Sequence, residues 1–278
     1  MNETVKIWTD ISLSDLNSSR LLYENRHYRT SYFLFQQASE KANKALALLG
    51  GEFTEQELRK FSHDQLRIHK ETSIKQDKKI KRLISLFEQH PKILNHKIVE
   101  KKDFIGFHNS LTDGVNFIAC LKEYDLVNIS TKDLNLILKQ LTRLKNTQLE
   151  IPLDFESAFK TTMLEVADWI GQFGTVKAIS DKANLEKLIS DEKQSSQLYD
   201  LMINSIFPLL IDLVFVNMTL YMCAIITIQH STLTRYSEEN INPDLIYTKR
   251  LPVVKKQKGF MDLLNEVILI IKRINQEN

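Results

Sequence analysis

Residues that make turns are scarce. Seven Gly and five Pro in 278 residues amount to about a third of the roughly 12 % that average usage supplies. That shortage argues against a β-sandwich or barrel, whose tight turns draw on both residues, and leaves little for a glycine-rich phosphate loop. Cysteine is scarcer still: Cys120 and Cys223 are too few for a disulfide framework or a four-thiolate zinc site. Met1 to Asp10 also lacks a basic segment followed by an apolar one, so a cytoplasmic, reduced setting is expected. The chain is 43% hydrophobic and 26% charged, neither disordered nor wholly membrane-embedded. Its length sits near the upper limit for a single core, which leaves one large domain or a domain carrying an insertion. The predicted class is all-α.

Apolar spacing supports that class. Ile11, Leu13, Leu16, Leu21, Leu22 and Tyr23 predict a helix over 11–28, with Ser12 or Ser14 as N-cap. Phe35, Ala38, Ala42, Ala45 and Leu49 fall on one helical stripe over 29–49, and the alanines let a neighbour approach closely. Gln36, Glu40 and Asn43 share another face, with Glu40 and Lys44 in the favourable order four residues apart. Gly50 and Gly51 end this helix. One helix is predicted over 58–86, stopped by Pro91. Further helices are predicted over 111–122, 134–144, 155–169 and 260–274, with breaks at Gly106, Gly114, Pro152, Gly171 and Gly174. After Tyr236 the chain is expected to be irregular (Pro243, Pro252, Gly259), with basic residues Lys249, Arg250, Lys255, Lys256 and Lys258 in an arm before the last helix.

The net charge of +2 hides an asymmetry. Between Arg67 and Lys102 there are 11 Lys or Arg against four acids, which suits either a solvated helix face or a surface for RNA phosphates. Ile206 to Ile228 is long enough to cross a membrane. Pro208, Asp212 and Asn217 interrupt it, and an Asp at mid-bilayer costs roughly 2.5 to 3.5 kcal/mol. A buried central helix is the expectation there, with no membrane partner.

The stretch from Arg20 to Leu46 resembles the HEPN domain family of helical domains linked to nucleotides and RNA. Phe33 to Ala45 reads Phe-x-x-Gln-Gln-Ala-x-Glu-Lys-Ala-x-Lys-Ala, the pattern of that family's second helix. Ser62, His63 and Asp64 match a Ser/Thr-His-Asp element that follows it. Thr234, Arg235 and Tyr236 are similar to a downstream Ala/Thr-Arg-Tyr element, although Ser237 stands where the family has proline, and 260–274 is similar to the closing helix. The resemblance implies HEPN-like N-terminal helices over 10–72, a helical insertion over 73–199, and HEPN-like C-terminal helices with a basic arm over 200–278.

The resemblance further implies a homodimer and a role in prokaryotic toxin–antitoxin, abortive-infection or antiphage defence. Many members of the family cut RNA without a metal or cofactor: an Arg stabilises charge developing on phosphate, and a His moves a proton while the adjacent 2′-hydroxyl attacks. Only Arg20 and His27 have the family's spacing of Arg, four to six residues, then His. If Arg235 is the equivalent arginine, the position five residues on is Asn240, which cannot shuttle a proton. The candidate catalytic residues are therefore Arg20, His27, His63, Arg235 and Tyr236, and the candidate RNA-binding residues are Lys75, Lys78, Lys79, Lys81 and Arg82. A second reading makes the chain a non-catalytic HEPN scaffold that binds a cognate antitoxin or another defence-complex protein. A metal reading would group His63 and Asp64 with His27 and Asp77 in the manner of an HD-type phosphohydrolase. His90 and His96, with Pro91 between them, are expected to be surface residues.

Overall fold

The computed structural model describes residues 1–89, 95–96, 99–121, 128–148, 150–152, 154–230, 234 and 242–277. Apart from turns and short links, these residues are helical, with one two-residue antiparallel ladder, β1 (Asn95–His96) with β2 (Val99–Glu100), in register Asn95 with Glu100. The all-α expectation therefore holds. The chain divides into two compact units. The first comprises Met1–Thr72, Val115–Thr147 and Asp212–Asn278, and the second Ser73–Gly114 and Gln148–Ile211. The stretch expected as one insertion over 73–199 is thus shared, because 115–147 packs in the first unit.

In the first unit α1 (Glu3–Glu24) and α2 (Tyr28–Leu49) form a hairpin. The start of α1 lies upstream of the predicted Ser12 or Ser14 cap. Asn2 is the cap: its side chain accepts from Thr4 N and Val5 N, while the Ser12 hydroxyl points across the hairpin and donates to Ala38 O at 2.7 Å. Serines carry the hairpin's closest contact as well. Ser19 Oγ donates to Ser31 O at 2.7 Å and Ser31 Oγ to Ser19 O at 2.8 Å, with Gln257 Nε2 on Ser31 Oγ at 2.8 Å. The predicted stripe of α2 is in the core, with Phe35, Ala38, Ala42 and Ala45 all fully buried. After α2, Gly51 adopts the left-handed conformation (φ +66°) and Gly50 does not.

The single helix predicted over 58–86 is two helices, α3 (Glu55–Lys60) and α4 (Gln65–Glu88). Thr54 and Glu57 form a capping box at the start of α3. Ser62 turns the chain at φ +50°, and Asp64 restarts the helix by accepting from Arg67 N at 3.0 Å. The apolar period ran across this break, but local caps decided the connection.

Gly106 and Gly114 lie inside α5 (Lys101–Cys120) and interrupt nothing. Helix α6 (Thr131–Lys145) sets Leu134 and Leu141 in the core of the first unit, at 0% and 3% exposure. Burial of each such side chain contributes roughly 1.5–3 kcal/mol, which is why this segment packs with the first unit. Helix α7 (Phe155–Gly171) is where the sequence placed it. The second unit also holds α8 (Val176–Ser190) and α9 (Glu192–Leu201). Its core includes an aromatic cluster in which the Phe87 ring meets Phe104, Trp169 and Phe173.

A π-helical turn, Met202–Ile206, joins α9 to α10 (Phe207–Ile228). It ends two residues before Pro208, which has no N–H to donate and crowds the carbonyl four residues back. The continuous helix Glu192–Ile228 is long and apolar enough to cross a membrane. Over its last third it is instead protein core: Phe215, Val216, Leu220, Cys223, Ala224 and Ile226 are at most 1% exposed, and Asp212 forms an ion pair with Arg273. Burial pushes the Cys223 thiol up to about 12, so that cysteine is an inert packing residue.

The C-terminal region described by the structure is ordered into helices rather than an irregular arm. Pro243 opens the four-residue α11 (Pro243–Ile246), and Pro252 stands at the first position of α12 (Pro252–Glu277), where a missing N–H costs nothing. Gly259 is interior to α12 because a Cβ there would sit 3.1 Å from Leu138 Cδ1 of α6.

Candidate functional site

The polar face predicted on α2 is buried against the start of α4. Ser39 Oγ and Asn43 Nδ2 donate to Gln65 Oε1 at 2.8 and 3.0 Å. One turn away Glu40, 4% exposed, is held between Lys44 and His63. Its Oε1 accepts from Lys44 Nζ at 2.7 Å and its Oε2 meets His63 Nδ1 at 2.8 Å. Lys44 also donates to Ser62 O at 3.0 Å and lies over the Trp8 ring. The left-handed turn at Ser62 is what aims that carbonyl at Lys44 and presents His63 to Glu40. With Nδ1–H donating to this carboxylate, the acceptor lone pair of a neutral His63 lies on Nε2. The His63 side chain is 49% exposed, so this nitrogen is in reach of a solute.

Beside His63, the first turns of α4 line a cavity of about 620 Å³. Asp64, Arg67, Lys70 and Glu71 supply its charges, Gln229 an amide, and Ile118, Leu121 and Ile228 an apolar wall. The Arg67 guanidinium also stacks on the Phe61 ring at 5.0 Å. On the same unit, His69 lies edge-on to Tyr221, with centroids 5.1 Å apart and Nε2 buried without a partner. Desolvation lowers its pKa from 6.5 to about 4, so it is neutral in the fold.

In the second unit, Lys75, Lys78, Lys79 and Arg82 occupy about 100° of arc on α4 by helical spacing. Lys78, Lys79, Lys81 and Arg82 are exposed and Lys75 is half-buried. Lys81, about 60° outside that arc on the Asp77 side, donates to Asp77 Oδ2 at 2.9 Å, and Asp77 Oδ1 takes a hydrogen bond from His108 Nδ1 on α5. The hydrogen bonds from Lys81 and then from His108 hold the Asp77 carboxyl below its ordinary value.

Residues 5–105 match the model of the HEPN domain family. Over this stretch the chain is similar to a HEPN domain. No curated protein and no solved structure matches it. The HEPN match spans α1 to α4 and continues 33 residues into the stretch expected as an insertion.

The structure brings few of the expected HEPN site residues together. Arg20 is turned toward α12, where its Nη2 donates to Met261 O at 3.2 Å and pairs with Asp262 at 3.1 Å. His27 stands exposed at the α1–α2 turn as the N-cap of α2, with no side-chain cap bond. His63 bonds to Glu40, not to either of them. Arg235 and Tyr236 lie outside the described residues, as do Asn240 and Ser237. The fully buried His230 bonds through Nδ1 to Tyr247 Oη at 2.6 Å and packs on Tyr32.

Three of the four groups of the metal reading are engaged separately, His63 with Glu40, Asp64 as a helix cap, and Asp77 with Lys81 and His108, while His27 stands at the α1–α2 turn. Among the described residues no group of three or more His, Cys, Asp or Glu is placed to hold a metal ion. His90 lies outside the described residues, and His96 falls in β1. Sequence spacing signalled Glu40 through its polar neighbours Gln36 and Asn43. It carried no signal for the Asp77–His108 pair, whose members are 31 residues apart.

Proposed function

We propose that the protein is an RNA-directed HEPN-family effector of a prokaryotic defence or toxin–antitoxin system, working in the cytoplasm. The observation that carries this reading is the exposed basic face of α4 within the second unit. Lys78, Lys79 and Arg82 recur at three- and four-residue spacing, a geometry that follows a phosphate backbone and needs no base-specific contact. Binding of a labelled single-stranded RNA, followed by fluorescence anisotropy across salt concentrations, tests it. Lys78→Glu with Arg82→Glu is expected to weaken binding of all sequences alike and to reduce the salt slope by ~1.4, about 0.7 for each lost phosphate contact. An unchanged slope removes α4 as the RNA surface. For the biological role, induced expression of the intact chain is expected to arrest growth or block phage plating. Normal growth and plating would refute it.

The scaffold reading has its own support. Arg20, the arginine with the family's catalytic spacing, is committed to Asp262, and the outer face of α1 carries Ile7, Ile11 and Leu21 at 51%, 40% and 62% exposure with Ser14 and Ser18 between them. Such a row suits a second copy of the chain or a cognate antitoxin. Light scattering of the purified protein is expected to give a dimer that Leu21→Arg dissociates. A monomer at every concentration would remove the homodimer.

A further inference from the structure

The charges that line the cavity of the first unit do not satisfy one another. Arg67, Lys70 and Glu71 all line it, and they fall within about 100° of arc over little more than one turn of α4. Arg67 and Glu71 stand four residues apart with the cation first, the less favourable order for pairing. Among the described residues neither of them, nor Lys70, forms an ion pair. The Arg67 guanidinium instead lies over the Phe61 ring at 5.0 Å, which holds the head group in place and leaves its N–H groups to donate. Asp64 is already engaged as the helix cap, accepting from Arg67 N. The same cavity has an apolar wall of Ile118 and Leu121, 8% and 5% exposed, with the half-buried Ile228. Its volume of about 620 Å³ lies within the roughly 300–1,000 Å³ of small-molecule sites.

We propose that this cavity binds a free apolar α-amino acid. Two unpaired cations and an unpaired carboxylate on neighbouring turns call for a ligand that carries both signs of charge close together. A free amino acid carries its ammonium and its carboxylate on one carbon, within about 3 Å of each other. The ligand carboxylate takes hydrogen bonds from Arg67, whose planar fork suits it, and from Lys70. The ligand ammonium donates to Glu71, and the ligand side chain leaves water against Ile118, Leu121 and Ile228. A plain organic acid would leave Glu71 unpaired beside a bound anion, and a plain amine would leave Arg67 and Lys70 beside a bound cation. A peptide separates its two end charges by up to ~3.5 Å for each added residue. The site belongs to the first unit and does not depend on the RNA reading of the basic row in the second.

Calorimetric titration of the full chain with L-leucine and with L-phenylalanine tests the proposal, and thermal unfolding gives a second readout. Binding is expected with a dissociation constant under ~1 mM, and the unfolding midpoint is expected to rise by at least ~2 °C at about 10 mM ligand. Three probes take the ligand apart: glycine lacks the side chain, 4-methylpentanoate the ammonium and 3-methylbutylamine the carboxylate. Each is expected to bind at least ~10-fold more weakly than L-leucine. Glu71→Gln and Lys70→Met remove charges without an ion-pair partner in the fold, so the midpoint of the unliganded protein is expected to stay unchanged while affinity for L-leucine falls at least ~10-fold. Neither heat nor a midpoint shift from either amino acid overturns the site and leaves the RNA reading untouched. Binding of 4-methylpentanoate as tight as that of L-leucine overturns the pairing of two charges, and equal binding of glycine overturns the apolar wall. Unchanged affinity in Glu71→Gln overturns the assignment of that carboxylate to the ammonium.

Discussion

Protonation of His69 is expected to destabilise the first unit from within as pH falls. The imidazole lies edge-on to Tyr221 with Nε2 buried and unpartnered, so the charged form has no group to replace the water it loses. Its pKa is lowered from 6.5 to about 4. At about 1.4 kcal/mol for each tenfold change in proton affinity, charging this ring in the fold costs about 3 kcal/mol more than in the unfolded chain. The unfolded chain binds the proton first. Stability from this group is therefore fully present above about pH 6.5, declines as pH falls, and is lost by about pH 4. Roughly 2 kcal/mol of that loss falls between pH 7 and pH 5, a large fraction of the 5–15 kcal/mol that stabilises an ordinary domain. Urea denaturation of wild type and His69→Phe at both pH values isolates the contribution, since other titrating groups are common to the two proteins. The phenylalanine keeps the aromatic contact with Tyr221 and cannot charge. Its stability is expected to fall by about 2 kcal/mol less than that of the wild type over this interval. Parallel pH dependence in the two proteins would refute the burial argument.

Two further outcomes are expected. Glu40→Gln strands Lys44, whose side chain is 9% exposed, and should cost about 3 kcal/mol in urea denaturation; adding Lys44→Met should recover part of it, and a loss that does not recover would show that the pair is not the cause. Ser31→Ala removes the bond to Ser19 O and the acceptor for Gln257 Nε2, which should lower stability by about 2 kcal/mol, and a midpoint within error of the wild type would contradict the serine tie.

Helices were readable wherever an apolar stripe met its own end signals. Phe35, Ala38, Ala42 and Ala45 have the period of a helix and are core in the fold, and α7 begins and ends close to where its pattern does. Boundaries failed where polar atoms outweighed the pattern. Asn2 caps α1 well before the serines that resemble a start, and Asp64 restarts the chain inside an apolar period that reads as one helix. Glycines misled too: Gly106 and Gly114 lack a Cβ but sit comfortably in α5, since permissive backbone does not compel a break. The site was partly legible. His63 and the cations of α4 were visible as residues; Glu40 was visible only as a member of a polar face.

Composition and periodicity by themselves determined the helical class and the basic concentration on α4, while the resemblance of Phe33 to Ala45 to a known motif pointed to the HEPN-like stretch that the family match bears out. Each of those is a property of residues near one another in the chain, where spacing and side-chain chemistry act directly. Tertiary structure decided the partners. It committed Arg20 to Asp262, gave His63 the buried carboxylate of Glu40, returned α6 to the first unit through Leu134 and Leu141, and set His108 against Asp77. Such pairings join positions tens or hundreds of residues apart. Their energies depend on burial and hydrogen-bond geometry, which exist only once the helices have packed.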